Sequence, residues 1–238
     1  MNVVILAAGI GSRMGEMSKR IPKSMIEING ATLISRLIRS LQIIENINII
    51  VVSGHLSKRL EMHLKEQGLR VQIATNEHYK KTNNMFSLSL AKKLMEDDSP
   101  LLTVNADCLY GDSFFKTIAT TNSDTAFCAD TPYSDEAMKV LIDNENRALN
   151  LSKDIPNGPN VRTCADMYYF TNESCKRLFS MIEHYIQANE LNYWLEVAVD
   201  RLIKTESINM HTSLIGDKWY EIDTPDDLKE AKRIFHVN

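Results

Sequence analysis

Short apolar runs alternate with longer stretches in which apolar residues recur every three or four positions, so strands alternate with helices in a layered α/β fold. "NVVILA" (2–7) reads as a buried strand, and "ATLISRLIRSLQII" (31–44) as a helix with Leu33, Leu37, Leu41 and Ile44 on one face. "INIIVVS" (47–53) predicts a second strand, followed by a helix over 57–67 and the strand "RVQIAT" (70–75). A helix from about Asn84 to Met95 leads to the strand "PLLTVNA" (100–106). The second half predicts a helix over 112–121 and strands over 124–130, 137–143 and 163–170. Helices over 172–188 and 191–204, a strand near 207–213 and a last helix from Pro225 complete the pattern. That last helix starts well, with Thr224 as N-cap, Pro225 at the first position and Asp226 and Asp227 in the first turn. "KDIPNGPN" (153–160) is loop-like but too short to separate domains, which predicts one domain of two lobes.

Composition narrows the function classes. The 238 residues carry a formal net charge of −4, with a pI near 5.9, which argues against a broad nucleic-acid surface. No apolar run reaches the roughly 18 residues of a membrane span, and the first one, Val3 to Ala8, is too short for a secretory leader. The cysteines (108, 128, 164, 175) are widely spaced and form no CxxC pair, which predicts reduced thiols in a cytoplasmic protein, not a zinc site or a disulfide framework.

The segment after the first strand, "LAAGIGSRMGEMSKRIPK" (6–23), holds three glycines and four cations, the last of them in the closing Pro22-Lys23. Glycines admit a ligand close to the backbone, and the cations call for a strongly negative one, such as a polyphosphate. Met14 stands where a GxGxxG fingerprint needs glycine, and the second strand ends in Ser53-Gly54 without the acid that holds a ribose. A Walker A loop fails as well, and Pro22 breaks the crossover helix that a dinucleotide site needs.

"LAAGIGSRMGEMSKRIPKSMIEINGATLI" resembles LAAGxGxR…PKxLxxxxGxxLI, the signature of nucleotidyltransferases that make activated sugars and amino alcohols, differing mainly at Ser24-Met25. "TNNMFSL" (82–88) and "WYEIDTPDDLKEA" (219–231) are similar, in order, to two further motifs of the phosphocholine and aminoethylphosphonate cytidylyltransferases. The resemblance implies a three-layer Rossmann-like fold with a mixed, mostly parallel central sheet. Residues 1–106 would form mainly the nucleotide lobe, and 107–238 the acceptor and metal lobe. It implies that the backbone of Leu6, Ala7, Ala8, Gly9, Gly11 and Ser12 cradles a triphosphate, with Arg13 on its outer oxygens and Lys23 at the α-phosphorus. Asp107 and Asp223 are implied as carboxylates for Mg²⁺, which takes one or two such ligands with phosphate oxygens and waters. Lys19 and Arg20 read equally well as surface charges.

The same resemblance puts Asn83, Asn84, Ser87 and Asn105 beside the base and ribose, with Gly54 as a further contact and CTP as the favoured nucleotide. The implied reaction is attack of an acceptor phosphate or phosphonate oxygen on the α-phosphorus, with pyrophosphate leaving. The acceptor oxygen is ionised near neutral pH, so no general base is needed. His55 and His63 have no partner visible in the sequence.

In "ELNYWLEVAVDRL" (190–202), Leu191, Leu195, Ala198 and Leu202 predict the core stripe, with Tyr193, Glu196 and Asp200 on the opposite face and Trp194 on its flank. Acids beside aromatics suit an ammonium, and Asp166 and Tyr168, on one face of their strand, would extend the pocket; Tyr169 falls on the other face. Phosphocholine, phosphoethanolamine and 2-aminoethylphosphonate are the acceptors expected. The alternatives are a sugar 1-phosphate with UTP, GTP or CTP, a guanylyl transfer, and a non-catalytic nucleotide-binding module. A homo-oligomer is compatible with all of these.

Overall fold

The computed structural model describes residues 1–129, 137–216 and 218–235. The chain begins with β1 (Asn2–Ala7), a 3-10 segment Ser12–Met17 and a short hairpin of β2 (Glu27–Ile28) and β3 (Ala31–Thr32). It continues through α1 (Leu33–Leu41), β4 (Asn48–Ser53), α2 (Ser57–Glu66), β5 (Gln72–Thr75), α3 (Asn84–Ala91) and β6 (Leu101–Asn105). Then come β7 (Cys108–Tyr110), α4 (Phe114–Thr120), β8 (Thr125–Ala129), β9 (Lys139–Ile142), β10 (Ala148–Ser152) and β11 (Val161–Phe170). Last are α5 (Asn172–Gln187), α6 (Leu195–Lys204), β12 (His211–Leu214), β13 (Trp219–Glu221) and α7 (Pro225–Ile234).

The central sheet is mixed. Strands β6, β1, β4 and β5 run parallel, β11 turns antiparallel against β6, and β8 and β9 pair antiparallel with β11. Helices cover both faces. One core packs Val4, Ile50 and Tyr168 with α3, α5 and α6, and the other packs Val3, Val51 and Met167 with α1, α2 and α4. This is the expected α/β architecture with a mostly parallel half.

The topology leaves one opening. Strand β11 carries β8 along one edge; on the other it pairs β6 through Met167–Phe170 and β9 through Val161–Thr163. Between them, where β6 ends and β9 begins, β11 bulges by two residues against β8 between Cys164 and Met167, and Asp166 adopts a left-handed φ of 53°. Two extra residues preserve the alternation of faces, so Tyr168 and Tyr169 fall on opposite sides, as expected.

A small third core decides what meets at that opening. Met14, Ile26, Ile28 and Leu33 pack against Leu109, Ile222 and Leu228, which clamps the loop after β1 onto β7 and α7. Met14, the residue that spoils the glycine fingerprint, is thus an apolar anchor.

Several boundaries differ from expectation. The helix read over 191–204 starts at Leu195, because Trp194 is extended, and the predicted strand near 207–213 lies at His211–Leu214. The helix read from Asn84 ends at Ala91 in a 3-10 turn, Lys92–Leu94. The strand read over 124–130 spans 125–129, and residue 130 lies outside the described residues. Among the described residues no helix is long and apolar enough to cross a membrane, and all four cysteines are free and buried.

Candidate active site

A cleft of about 320 Å³ opens at the carboxyl ends of β1 and β6, against the bulge of β11. This is where open α/β sheets bind ligands, because the loops that leave neighbouring strands diverge there.

Its floor is ionic. Lys23 Nζ donates to Asp107 Oδ2 at 2.7 Å and to Asp223 Oδ1 at 2.5 Å, and Arg13 pairs with Asp223 Oδ2 at 2.7 Å. These groups come from three elements. Lys23 follows Pro22 in the loop after β1, Asp107 follows β6, and Asp223 follows β13, which pairs with β7 so that Glu221 lies opposite Cys108. The Ile222 N–H donates to the Asp107 carbonyl at 3.0 Å and fixes the approach of the two acidic segments. Burial works against the Lys23 charge, but Asp107 and Asp223 outweigh it and hold the ammonium above the usual lysine range. Burial also opposes ionisation of Asp223, yet Lys23 and Arg13 hold that carboxyl below its usual range.

Glu221 joins them, a carboxylate that the sequence reading missed. Carboxylate oxygens of Asp107, Glu221 and Asp223 all lie within 4.8 Å of one another. Burial, with the charges of Asp107 and Asp223, pushes the Glu221 carboxyl up to about 8. The signal was present in "YEIDTP": two positions apart on an extended segment, Glu221 and Asp223 share a face.

The loop geometry explains two glycines. Gly11 has φ 64°, and a Cβ there would stand 3.1 Å from Lys23 Cβ, so the loop reaches the lysine only without a side chain. Gly54 is not among the residues that line the cleft. A Cβ on it would lie 2.6 Å from the Ala8 carbonyl oxygen, so its bare backbone lets β4's end pack closely on the loop.

Leu6, Ala8, Gly9 and Arg13 line the cleft on the loop side, with Asn83, Asn84, Ser87 and Asn105 beside them. Ala7 points into the core under α1 and α2, and Ser12 is exposed at the start of its turn, so neither lines the cleft. Asn83 is the N-cap of α3, and Ser87 accepts a hydrogen bond from the buried Asn76 at 3.0 Å. Asn76, Tyr79 and Thr82 also line this wall, unpredicted because their loop has no distinguishing pattern.

The opposite wall holds Asp166, Trp194 and Glu196, with Lys153 above them. Glu196 is buried, not on a solvated face: its Oε1 accepts from Tyr168 at 3.1 Å, and burial raises its pKa. Tyr168 therefore stands behind Glu196 and supports it. Burial together with Glu221, Glu196 and Asp107 pushes Asp166 well above the carboxylate range. Two expected pocket residues lie elsewhere. Tyr193, 41% exposed, packs edge-on against Tyr185, and Asp200 accepts from the Leu151 N–H at 2.9 Å while pairing with Lys204.

Both histidines have partners after all. His55 Nε2 meets the Ser18 carbonyl at 2.7 Å, and His63 Nε2 lies 2.9 Å from both Thr32 Oγ1 and Ser35 Oγ at the start of α1.

Residues 3–145 match the model of the MobA-like NTP transferase domain. Over 232 residues, 95% of this chain and 94% of the relative, the sequence is 25% identical to the choline-phosphate cytidylyltransferase of Haemophilus influenzae. Over 111 residues, 47% of this chain and 44% of the relative, it is 32% identical to the 2-aminoethylphosphonate cytidylyltransferase of Lancefieldella rimae. The inositol-1-phosphate CTP transferase of T. maritima has the same fold, with a TM-score of 0.80 at 20% identity, covering 98% of this chain and 94% of that one.

Proposed function

The chain belongs to the MobA-like NTP transferase family, and on that premise we propose that it transfers the cytidylyl group of CTP to a small amino-bearing phosphate or phosphonate. Phosphocholine, phosphoethanolamine and 2-aminoethylphosphonate are the acceptors in view, and pyrophosphate is the leaving group. One observation carries the reading: a single cleft joins the cationic loop and its carboxylates to the buried Glu196, the half-buried Asp166 and the indole of Trp194.

The donor set suits Mg²⁺. Asp107, Glu221 and Asp223 offer only hard oxygen ligands, converging within 4.8 Å, and Lys23 already marks the point where two of them meet a positive charge. These three residues would hold the ion. When bound, Mg²⁺ supplies Lewis-acid neutralisation of charge on the phosphate oxygens.

The remaining work falls to the chain. Gly9 and its neighbours present backbone to the triphosphate, and Arg13 offers a fork of donors to the outer phosphates. Lys23, held in place by its two carboxylates, stabilises charge that grows around the α-phosphorus. Asn83, Asn84, Ser87 and Asn105 hold the base and ribose. The acceptor needs no general base, since its phosphate oxygen is ionised at neutral pH, so positioning and charge neutralisation suffice.

The test is pyrophosphate release with Mg²⁺, crossing four nucleoside triphosphates with phosphocholine, phosphoethanolamine, 2-aminoethylphosphonate, glycerol 3-phosphate and hexose 1-phosphates. Turnover confined to CTP and an amino-bearing acceptor is the expected result. Turnover only with a sugar phosphate would overturn the acceptor assignment and leave the nucleotide loop standing.

A further inference from the structure

Lys153 has no role in the reaction outlined above, yet it sits at the lip of the cleft with its Nζ 4.7 Å from the centroid of the Trp194 ring. Its backbone is fixed from below. Lys139, buried in β9, donates from Nζ to the carbonyls of Lys153 and Ile155, both at 3.1 Å. The seat of Lys153 is thus tied to the sheet, although it lies in a loop.

The acids beneath are differently placed. Glu196 accepts a hydrogen bond from Tyr168 and lies within reach of the Lys153 charge and the Asn84 side chain, Asp166 is approached by the Cys108 thiol at 3.7 Å, and among the described residues neither acid has a cation within ion-pair distance. Their lone pairs suit a cation that carries N–H donors. A trimethylammonium has no N–H and relies on open aromatic faces. Trp194 is the ring beside these acids, and Lys153 lies over it. Among the described residues the other rings that line the cleft have settings of their own: Tyr79 lies against His55, and Trp219 is in β13 beside the carboxylate cluster.

We propose that Lys153 is a specificity-determining residue: by seating its ammonium on Trp194 it disfavours a quaternary head group and leaves Glu196 and Asp166 to hydrogen-bond a primary ammonium. The acceptor is then an aminoalkyl phosphate or phosphonate in preference to its trimethylated counterpart. This inference rests on the functional reading above and narrows it.

The test compares kcat/KM for phosphoethanolamine, 2-aminoethylphosphonate and phosphocholine with CTP in the wild type, Lys153→Met and Lys153→Arg. The wild type should favour the primary amines. Lys153→Met, which keeps an unbranched stem and loses the charge, should raise kcat/KM for phosphocholine by about tenfold and change the amines far less. Lys153→Arg, which keeps a cation over the indole, should restore the wild-type ratio. A wild type that prefers phosphocholine overturns the inference, as does an equal loss on all acceptors in Lys153→Met. Either result leaves cytidylyl transfer intact, whereas absence of turnover with every amino-bearing acceptor would overturn the functional reading and this inference together.

Discussion

Asn84 Oδ1 accepts a hydrogen bond from the backbone N–H of Leu195 at 2.7 Å, so the first residue of α3 caps the start of α6. The nucleotide wall and the acceptor wall are joined at this point, because Glu196 is the next residue of α6 and Trp194 the preceding one. The Leu191 carbonyl adds a second tie by accepting from the Asn83 N–H at 3.1 Å.

Replacing Asn84 with Ala leaves a helix-terminal N–H without its acceptor. The cost expected is about 1 kcal/mol, the usual penalty for a lost N-cap. In a chain of this size that lowers Tm by roughly 2–4 °C. The apparent KM for the acceptor should rise with it, since α6 positions Glu196. Thermal denaturation and steady-state kinetics on one preparation check both, and a change in the KM for CTP alone would contradict the link.

Gly54 gives the second prediction. Its Cα lies against Ala8, and a methyl group there would stand 2.6 Å from the Ala8 carbonyl oxygen and 2.8 Å from its Cβ. Backbone atoms cannot yield as the end of a side chain can. Gly54→Ala should therefore cost ~1–3 kcal/mol by overpacking and push the loop that carries Gly9 and Arg13. The expected readouts are a lower denaturation midpoint and a raised KM for CTP.

Much of this site was readable because its residues sit at element boundaries. Asp107 follows an apolar strand and Asp223 precedes a well-signalled helix start, whose capping box of Thr224 and Asp227 is formed. What failed was phase. Treating 190–202 as one helix put Tyr193, Glu196 and Asp200 on a common outer face, but the helix begins only after the extended Trp194. The helical period therefore does not run through Tyr193, and Glu196 turns inward to Tyr168. Lys153 was unreadable for another reason: its place is set by Lys139 from another strand, a contact that no local pattern encodes.

His63 yields a pH prediction. Its burial, with Arg39 adding in the same direction against nearby Glu66 and Glu27, lowers its pKa, and its Nε2 serves Thr32 and Ser35 at the cap of α1. The unfolded chain binds the proton more readily, at an ordinary histidine pKa of about 6.5. The His63 contribution to stability is therefore complete above that pH and is lost as pH falls through the depressed folded value. Stability of the wild type should decline over this acidic window more steeply than that of His63→Gln. Chemical denaturation at a series of pH values gives the comparison, and identical slopes would refute it.

Lys23→Met removes the cation that bridges Asp107 and Asp223 at the cleft floor. The lost charge stabilisation should lower kcat by roughly a hundredfold or more. Circular dichroism should report an unchanged fold, because the third core of Met14, Ile26 and Ile222 holds the loop independently of the lysine.

Glu221→Gln separates stability from function. The three carboxylates at the cleft floor lie within 4.8 Å of one another, and Lys23 bonds directly to only two of them, Asp107 and Asp223. Gln keeps the shape of Glu221 and removes a carboxyl whose ionisation burial, Asp107 and Asp223 oppose in the folded state, so the protein in chelator should gain stability at neutral pH. The same change removes an anionic oxygen ligand, so activity should fall and require more Mg²⁺ to reach half its maximum. The two effects have opposite signs, which a merely structural Glu221 would not produce. Thermal melting in EDTA and a Mg²⁺ titration of pyrophosphate release measure them, and a variant that is both less stable and unchanged in its Mg²⁺ requirement would show that Glu221 serves the fold and not the ion.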